Sequence, residues 1–182
     1  MKKEFAARRL DPRSLAEQSG RVTGDEPLGS YARLAAETGG RGAENRVTWA
    51  AAGELRNPQH VNPQVWLHLK ADALLPLICQ RCLGHVDVPV AVGRSFRFVA
   101  DESTALAEDD EAKEDLLALS ASFDLLELVE DELLMAMPVV PRHETCPASV
   151  KSAVADSDFE AVLQERENPF ALLQKLRLGK TK

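Results

Sequence analysis

Gln64–Ile78, "QVWLHLKADALLPLI", is the stretch on which the fold turns. Val65, Leu67 and Leu69 fall in step, with Trp66, His68 and Lys70 between them. A two-residue period puts alternate side chains on opposite faces of a strand, so one face is apolar and the other mixed. Upstream, "RVTWAAAGELR" (46–56) alternates in the same way, with Val47, Trp49 and Ala51 on one side and Thr48 and Ala50 on the other. Downstream, "HVDVPVAVGRSFRFV" (85–99) sets Val86, Val88, Val90 and Val92 in step, followed after Gly93 by Phe96 and Phe98. Period-two runs joined by turns predict an antiparallel sheet. The first turn is "NPQHVNP" (57–63), and the second carries Cys79 and Cys82. Gly93, inside the third run, is expected to mark a bulge.

Beyond the strands, "FDLLELVEDELLMAMP" (123–138) changes to a helical period. Asp124 is placed to cap, with Glu127 three residues later as in a capping box. Leu126, Val129, Leu133 and Met137 recur on one face, and Glu127, Glu130 and Asp131 fall elsewhere. Pro138 and Pro141 end the helix. Such an amphipathic helix is expected to cover one face of the sheet. Residues 1–45 read as a lead-in: Asp11 and Pro12 start a short helix, and "GGRGAEN" (39–45) is a joint. Residues 147–167 read as a linker. "NPFALLQKLRLGKTK" (168–182) then reads as a basic amphipathic helix, with Asn168 as cap and Phe170, Leu173 and Leu176 as its stripe.

The 182 residues carry a net charge of −7, distributed unevenly. Residues 101–132 hold thirteen acids against one base, Lys113, a net −12 that leaves the remainder at +5. The part of this acidic segment over 100–122 has no periodicity and reads as a mobile loop. No run of about eighteen apolar residues is present, so no membrane span is expected. The charged start, "MKKEFAARRL", lacks the apolar stretch of a secretory signal. Three cysteines are too few and too odd for a disulfide framework, so a reducing, cytoplasmic setting is expected.

Cys79-x-x-Cys82 has three readings. As half of a structural zinc site it needs two further ligands, and His143 and Cys146 supply a second pair at the same spacing. Cys82 and Cys146 are 64 positions apart, so a hairpin turn and a post-helix loop would have to meet. His85 is a rival fourth ligand. As a redox pair the motif wants a helix start and a surrounding βαβ unit, neither of which this sequence places there. The third reading is an ordinary tight turn. No P-loop, G-x-G-x-x-G, G-x-S-x-G or H-E-x-x-H is present, and His60 and His68 lack evident partners.

Three segments, "LICQRCL" (77–83), "DLLELVEDELLMAMPVVPRHETC" (124–146) and "ENPFALLQKL" (167–176), occur in an order that resembles the bacterial large ribosomal RNA subunit accumulation proteins, the YceD family. The resemblance spans about residues 75–176. It implies a small cytoplasmic protein needed for normal levels of 23S ribosomal RNA, acting in its synthesis, processing or stability. It implies no enzymatic activity and carries over no catalytic residues. The family pattern has positions matching Cys79, Cys82, His143 and Cys146, which favours zinc as a structural ligand set.

A chain with a pI near 5.2 does not have the profile of a basic RNA binder, and Tyr31 is its only tyrosine. Contact with RNA would run through local basic positions: Arg81, Arg94, Arg97, Lys175 and Arg177. Alternatively, the acidic arm meets a basic large-subunit ribosomal protein. The expected architecture is α+β: residues 46–146 form an antiparallel sheet covered by the 124–137 helix, flanked by the lead-in (1–45), the linker and tail (147–182), and a flexible acidic loop. The expected function is a non-enzymatic ribosome-biogenesis factor working on 23S rRNA or the pre-large-subunit particle, with no membrane or DNA partner. The rival is a zinc- or thiol-dependent enzyme using Cys79 and Cys82.

Overall fold

In the computed structural model, which describes residues 5–147, the chain forms five strands and four helices, all within the compact unit Met1–Thr145. The strands are β1 (Arg21–Pro27), β2 (Arg46–Arg56), β3 (Gln64–Ile78), β4 (His85–Val99) and β5 (Asp115–Ala118). The helices are α1 (Pro12–Glu17), α2 (Ala32–Glu37), α3 (Glu102–Glu108) and α4 (Leu125–Met135). The architecture is α+β, with a single sheet in the order β1-β2-β3-β4-β5. The first three pairings are antiparallel, and β5 joins β4 in parallel.

The three period-two runs become β2, β3 and β4. Trp49 pairs with Ala71, Ala51 with Leu69, and Leu67 with Phe96, so the in-step residues share one buried face. That face carries Val47, Trp49, Val65, Leu67, Leu69, Leu75, Phe96 and Phe98. Leu15 of α1, Leu34 of α2 and Leu125, Val129 and Leu133 of α4 close over it. Each fully buried Leu contributes about 2 kcal/mol of transfer free energy. Gly53 lets α1 approach β2, because a Cβ there would meet the Leu15 and Ala16 backbone at 2.7 Å. The opposite face stays wet at Lys70 and Asp72. On that face the Arg56 guanidinium lies 3.9 Å from the Trp66 ring centre, and His68 bonds Glu54 and Ser95 at 2.7 and 2.8 Å. His68 therefore has partners that its sequence context does not announce.

The Asp124 cap forms as expected, accepting from the Leu126 and Glu127 N–H groups at 3.0 and 3.2 Å. Asp11 caps α1 likewise, accepting from Ser14 N–H at 3.2 Å.

Three expectations need correction. Gly93 marks no bulge: it pairs with Lys70 in a register that runs unbroken from Val65↔Phe98 to Ile78↔His85. Residues 101–122 are not a structureless loop, since they hold α3 and β5. Asp101 caps α3 at Thr104 N–H, and Arg97 reaches Glu108 and Glu114 at 3.0 and 2.6 Å. Residues 21–27, part of the expected lead-in, form β1 beside β2. Gly24 there gives room for the Trp49 ring, whose Nε1–H donates to Glu26 at 2.7 Å. The linker and basic helix read after Pro147, including Lys175 and Arg177, lie outside the described residues.

Candidate metal centre

The turn between β3 and β4 is closed by backbone bonds: Leu83 N–H to Cys79 C=O and Cys79 N–H to Gly84 C=O, both 2.8 Å. Leu83 adopts a left-handed φ of 58° with its side chain exposed, which folds the turn back on itself. Cys79 and Cys82 thus come to the same side of one knuckle.

The loop after α4 reaches this knuckle through polar contacts. Gln80 N–H donates to Pro141 C=O at 2.8 Å. The Arg81 guanidinium donates to the His143 and Glu144 carbonyls at 3.0 and 3.2 Å. These bonds bring the second pair to the first. The ligand atoms of Cys79, Cys82, His143 and Cys146 all lie within 4.8 Å of one another. Cys82 Sγ and His143 Nδ1 are 3.5 Å apart. His85, the rival ligand, begins β4 opposite Ile78 and is not in the cluster.

The donor set fits zinc. Tetrahedral bonds of about 2.3 Å to sulfur and about 2.0 Å to nitrogen imply an S···N separation of about 3.5 Å and an S···S separation of about 3.8 Å. The observed S···N distance matches, and no pair needs to close by more than about 1.3 Å. The thiol chemistry agrees. Burial pushes the Cys79 thiol up, but the backbone N–H groups of Cys82, His143 and Arg81, with the Cys82 side chain, outweigh it and lower the thiol to about 5. A thiolate at neutral pH is the form that ligates metal. Three soft sulfurs and one imidazole select zinc over magnesium or calcium. Spacing and the family resemblance marked these four residues; the hydrogen bonds from Gln80 and Arg81 that unite them left no sequence signal.

Of the arginines singled out for RNA, Arg81, Arg94 and Arg97 have partners within the chain. Arg81 braces the clasp. Arg94 pairs with Asp115 and, at 3.5 Å, with Glu132. Arg97 is held between Glu108 and Glu114. A second network was not foreseen: Glu130 of α4, nearly buried, accepts from the Arg33 and Leu34 N–H groups at 2.7 and 3.2 Å and pairs with the Arg33 guanidinium at 3.1 Å. It satisfies the otherwise bare start of α2 from 97 residues away.

Among the described residues no helix is long and apolar enough to cross a membrane. No solved structure matches the chain. A protein of Haemophilus influenzae named large ribosomal RNA subunit accumulation protein YceD is 31% identical over 141 residues, 74% of this chain and 79% of that one. The family model described as large ribosomal RNA subunit accumulation protein YceD matches residues 67–177, a span that contains the knuckle, the acidic segment, α4 and the second ligand pair. On these two matches, the chain belongs to the YceD family.

Proposed function

We propose that this protein is a cytoplasmic, non-enzymatic ribosome-biogenesis factor that supports the synthesis, processing or stability of 23S rRNA. The observation that carries the reading is the family match over residues 67–177. In this reading Cys79, Cys82, His143 and Cys146 hold a structural zinc ion. Zinc supplies no reaction here, because four protein ligands leave no open position for water or substrate. That closed set also argues against a metal-dependent enzyme. The matched charges of Arg94 and Arg97 favour action through a basic large-subunit ribosomal protein over direct RNA contact by the sheet. Lys175 and Arg177 remain the candidate contacts on the C-terminal side.

The functional test is the 23S to 16S rRNA ratio in a strain lacking the gene. The ratio is expected to fall and to recover with the parent chain; an unchanged ratio overturns the proposal. The zinc test is elemental analysis of protein purified without chelator, beside Cys146→Ser. About one zinc per chain, lost or sharply weakened in the variant, is the expected outcome. Metal-free parent protein removes zinc from the reading and leaves the clasp to its hydrogen bonds.

A further inference from the structure

One edge of the sheet is open next to β5 and α4, which belong largely to the acidic segment 101–132. β5 pairs with β4 only over Phe96–Val99, so β4 from His85 to Ser95 has no neighbour on that side among the described residues. The odd-numbered residues of β4 turn their backbone groups to this edge. Val99 C=O accepts from Leu119 N–H at 2.8 Å, on the β5 side. Pro89, which has no N–H, sits in the same phase, as expected of a proline whose nitrogen faces away from the β3 ladder. The two-residue alternation therefore aims Ala91, Gly93 and Ser95 outward. Pro89 marks one end of this donor-bearing stretch and β5 the other.

A groove of about 210 Å³ runs along the stretch, with Ala91–Arg94 on one side and Glu132 and Met135 of α4 and its cap residue Ala136 on the other. Met135 is 65% exposed and gives the groove an apolar lip. On the far side of the edge Ala91 and Gly93 are small, and a Cβ at Gly93 would meet nothing within 4 Å. A strand laid here would direct alternate side chains toward Met135 and toward solvent.

Charge identifies the occupant. β4 is flanked by α3, β5 and α4. Their segment 101–132 is net −12, and the four arginines paired with it, Arg8, Arg33, Arg94 and Arg97, leave it at −8. Two copies of this chain meeting edge to edge would bring two such segments together, which repels. A basic strand is attracted.

We propose that Ala91–Ser95 accepts, as an added strand, an extended segment of a partner protein in which apolar residues alternate with lysine or arginine. This deepens the proposed function and rests on it: such segments would belong to a basic large-subunit ribosomal protein.

The test measures binding of the full chain to a panel of purified large-subunit ribosomal proteins by fluorescence anisotropy. The variants are Ala91→Pro, which deletes one outward N–H, and Met135→Lys, which replaces the apolar lip with a like charge for the partner. At least one panel protein is expected to bind, and each variant to weaken it tenfold or more with its melting temperature and metal content kept. In the unbound chain, the Ala91 and Gly93 amides are expected to exchange fast and to become protected in the complex. Binding undiminished in both variants overturns the edge proposal alone, as does protection of those amides before any partner is added, or a stable homodimer lost in Ala91→Pro. A fall in the 23S to 16S ratio with no panel protein binding also overturns the edge alone. An unchanged ratio overturns the reading beneath it.

Discussion

The centre of the sheet and the acidic flank are held by different physics. In β2, β3 and β4 the buried face is apolar, and the side chains that meet across strands are Ala, Val, Leu, Phe and Trp, with Arg94 opposite Leu69 the exception. The segment 101–132 has a net charge of −12 and would repel itself if left alone. It is pinned by four arginines from other parts of the chain: Arg8 to Asp124, Arg33 to Glu130 and Asp131, Arg94 to Asp115 and Glu132, Arg97 to Glu108 and Glu114. Burial is non-directional and tolerates redundancy; the ion pairs act through a few named atoms. An acidic run in sequence is therefore no proof of a mobile arm, since a handful of cations placed by the fold can order it.

The largest expected effect tests the sheet side of this contrast. Leu69 is 1% exposed at the centre of β3, and Leu69→Ala should cost about 3 kcal/mol through lost burial and a residual cavity. The shift in urea midpoint with an unchanged slope checks it. A loss under about 1 kcal/mol would mean that the core repacks freely.

Glu130→Ala is next, at about 2 kcal/mol, because it strips the start of α2 of its acceptor and leaves the Arg33 and Leu34 N–H groups unsatisfied. Hydrogen exchange should rise in α2 and α4 before it rises in β3. Uniform acceleration would show that the flank and the sheet open as one unit.

Arg97→Ala releases α3 and β5 together and should cost about 1 kcal/mol, less in high salt. The sharper readout is local: exchange at Leu116–Ala118 rises while β2 stays protected. Equal change in both would erase the contrast.

The smallest effect is a slope. Burial raises the Glu132 carboxyl above its ordinary 4.5, and Arg94 only partly offsets this. Between the unfolded value and the raised folded one, the folded state holds the extra proton, so this group's contribution weakens as pH rises through that window. Glu132→Gln should flatten the fall in stability with rising pH just above 4.5, read from urea midpoints across pH. Parallel curves for parent and variant would show that Arg94 fully compensates the burial.

The sequence by itself determined the three central strands and the helix at 124–137 with its Asp124 cap, and it offered Cys79, Cys82, His143 and Cys146 as candidate ligands with His85 as a rival. Each rests on local period or spacing, which neighbouring residues write directly into the chain. Only the tertiary structure decided the rest. β1 stayed hidden because "RVTGDEP" has only a short, mostly exposed alternation and becomes a strand by pairing with β2. β5 and α3 stayed hidden because their partners, Arg94 and Arg97, precede them on another strand. The meeting of Cys79 and Cys82 with His143 and Cys146 depends on Gln80 and Arg81 bonding to backbone carbonyls some 60 residues on. Backbone acceptors carry no side-chain signature, so contacts of that kind appear only once the chain has folded.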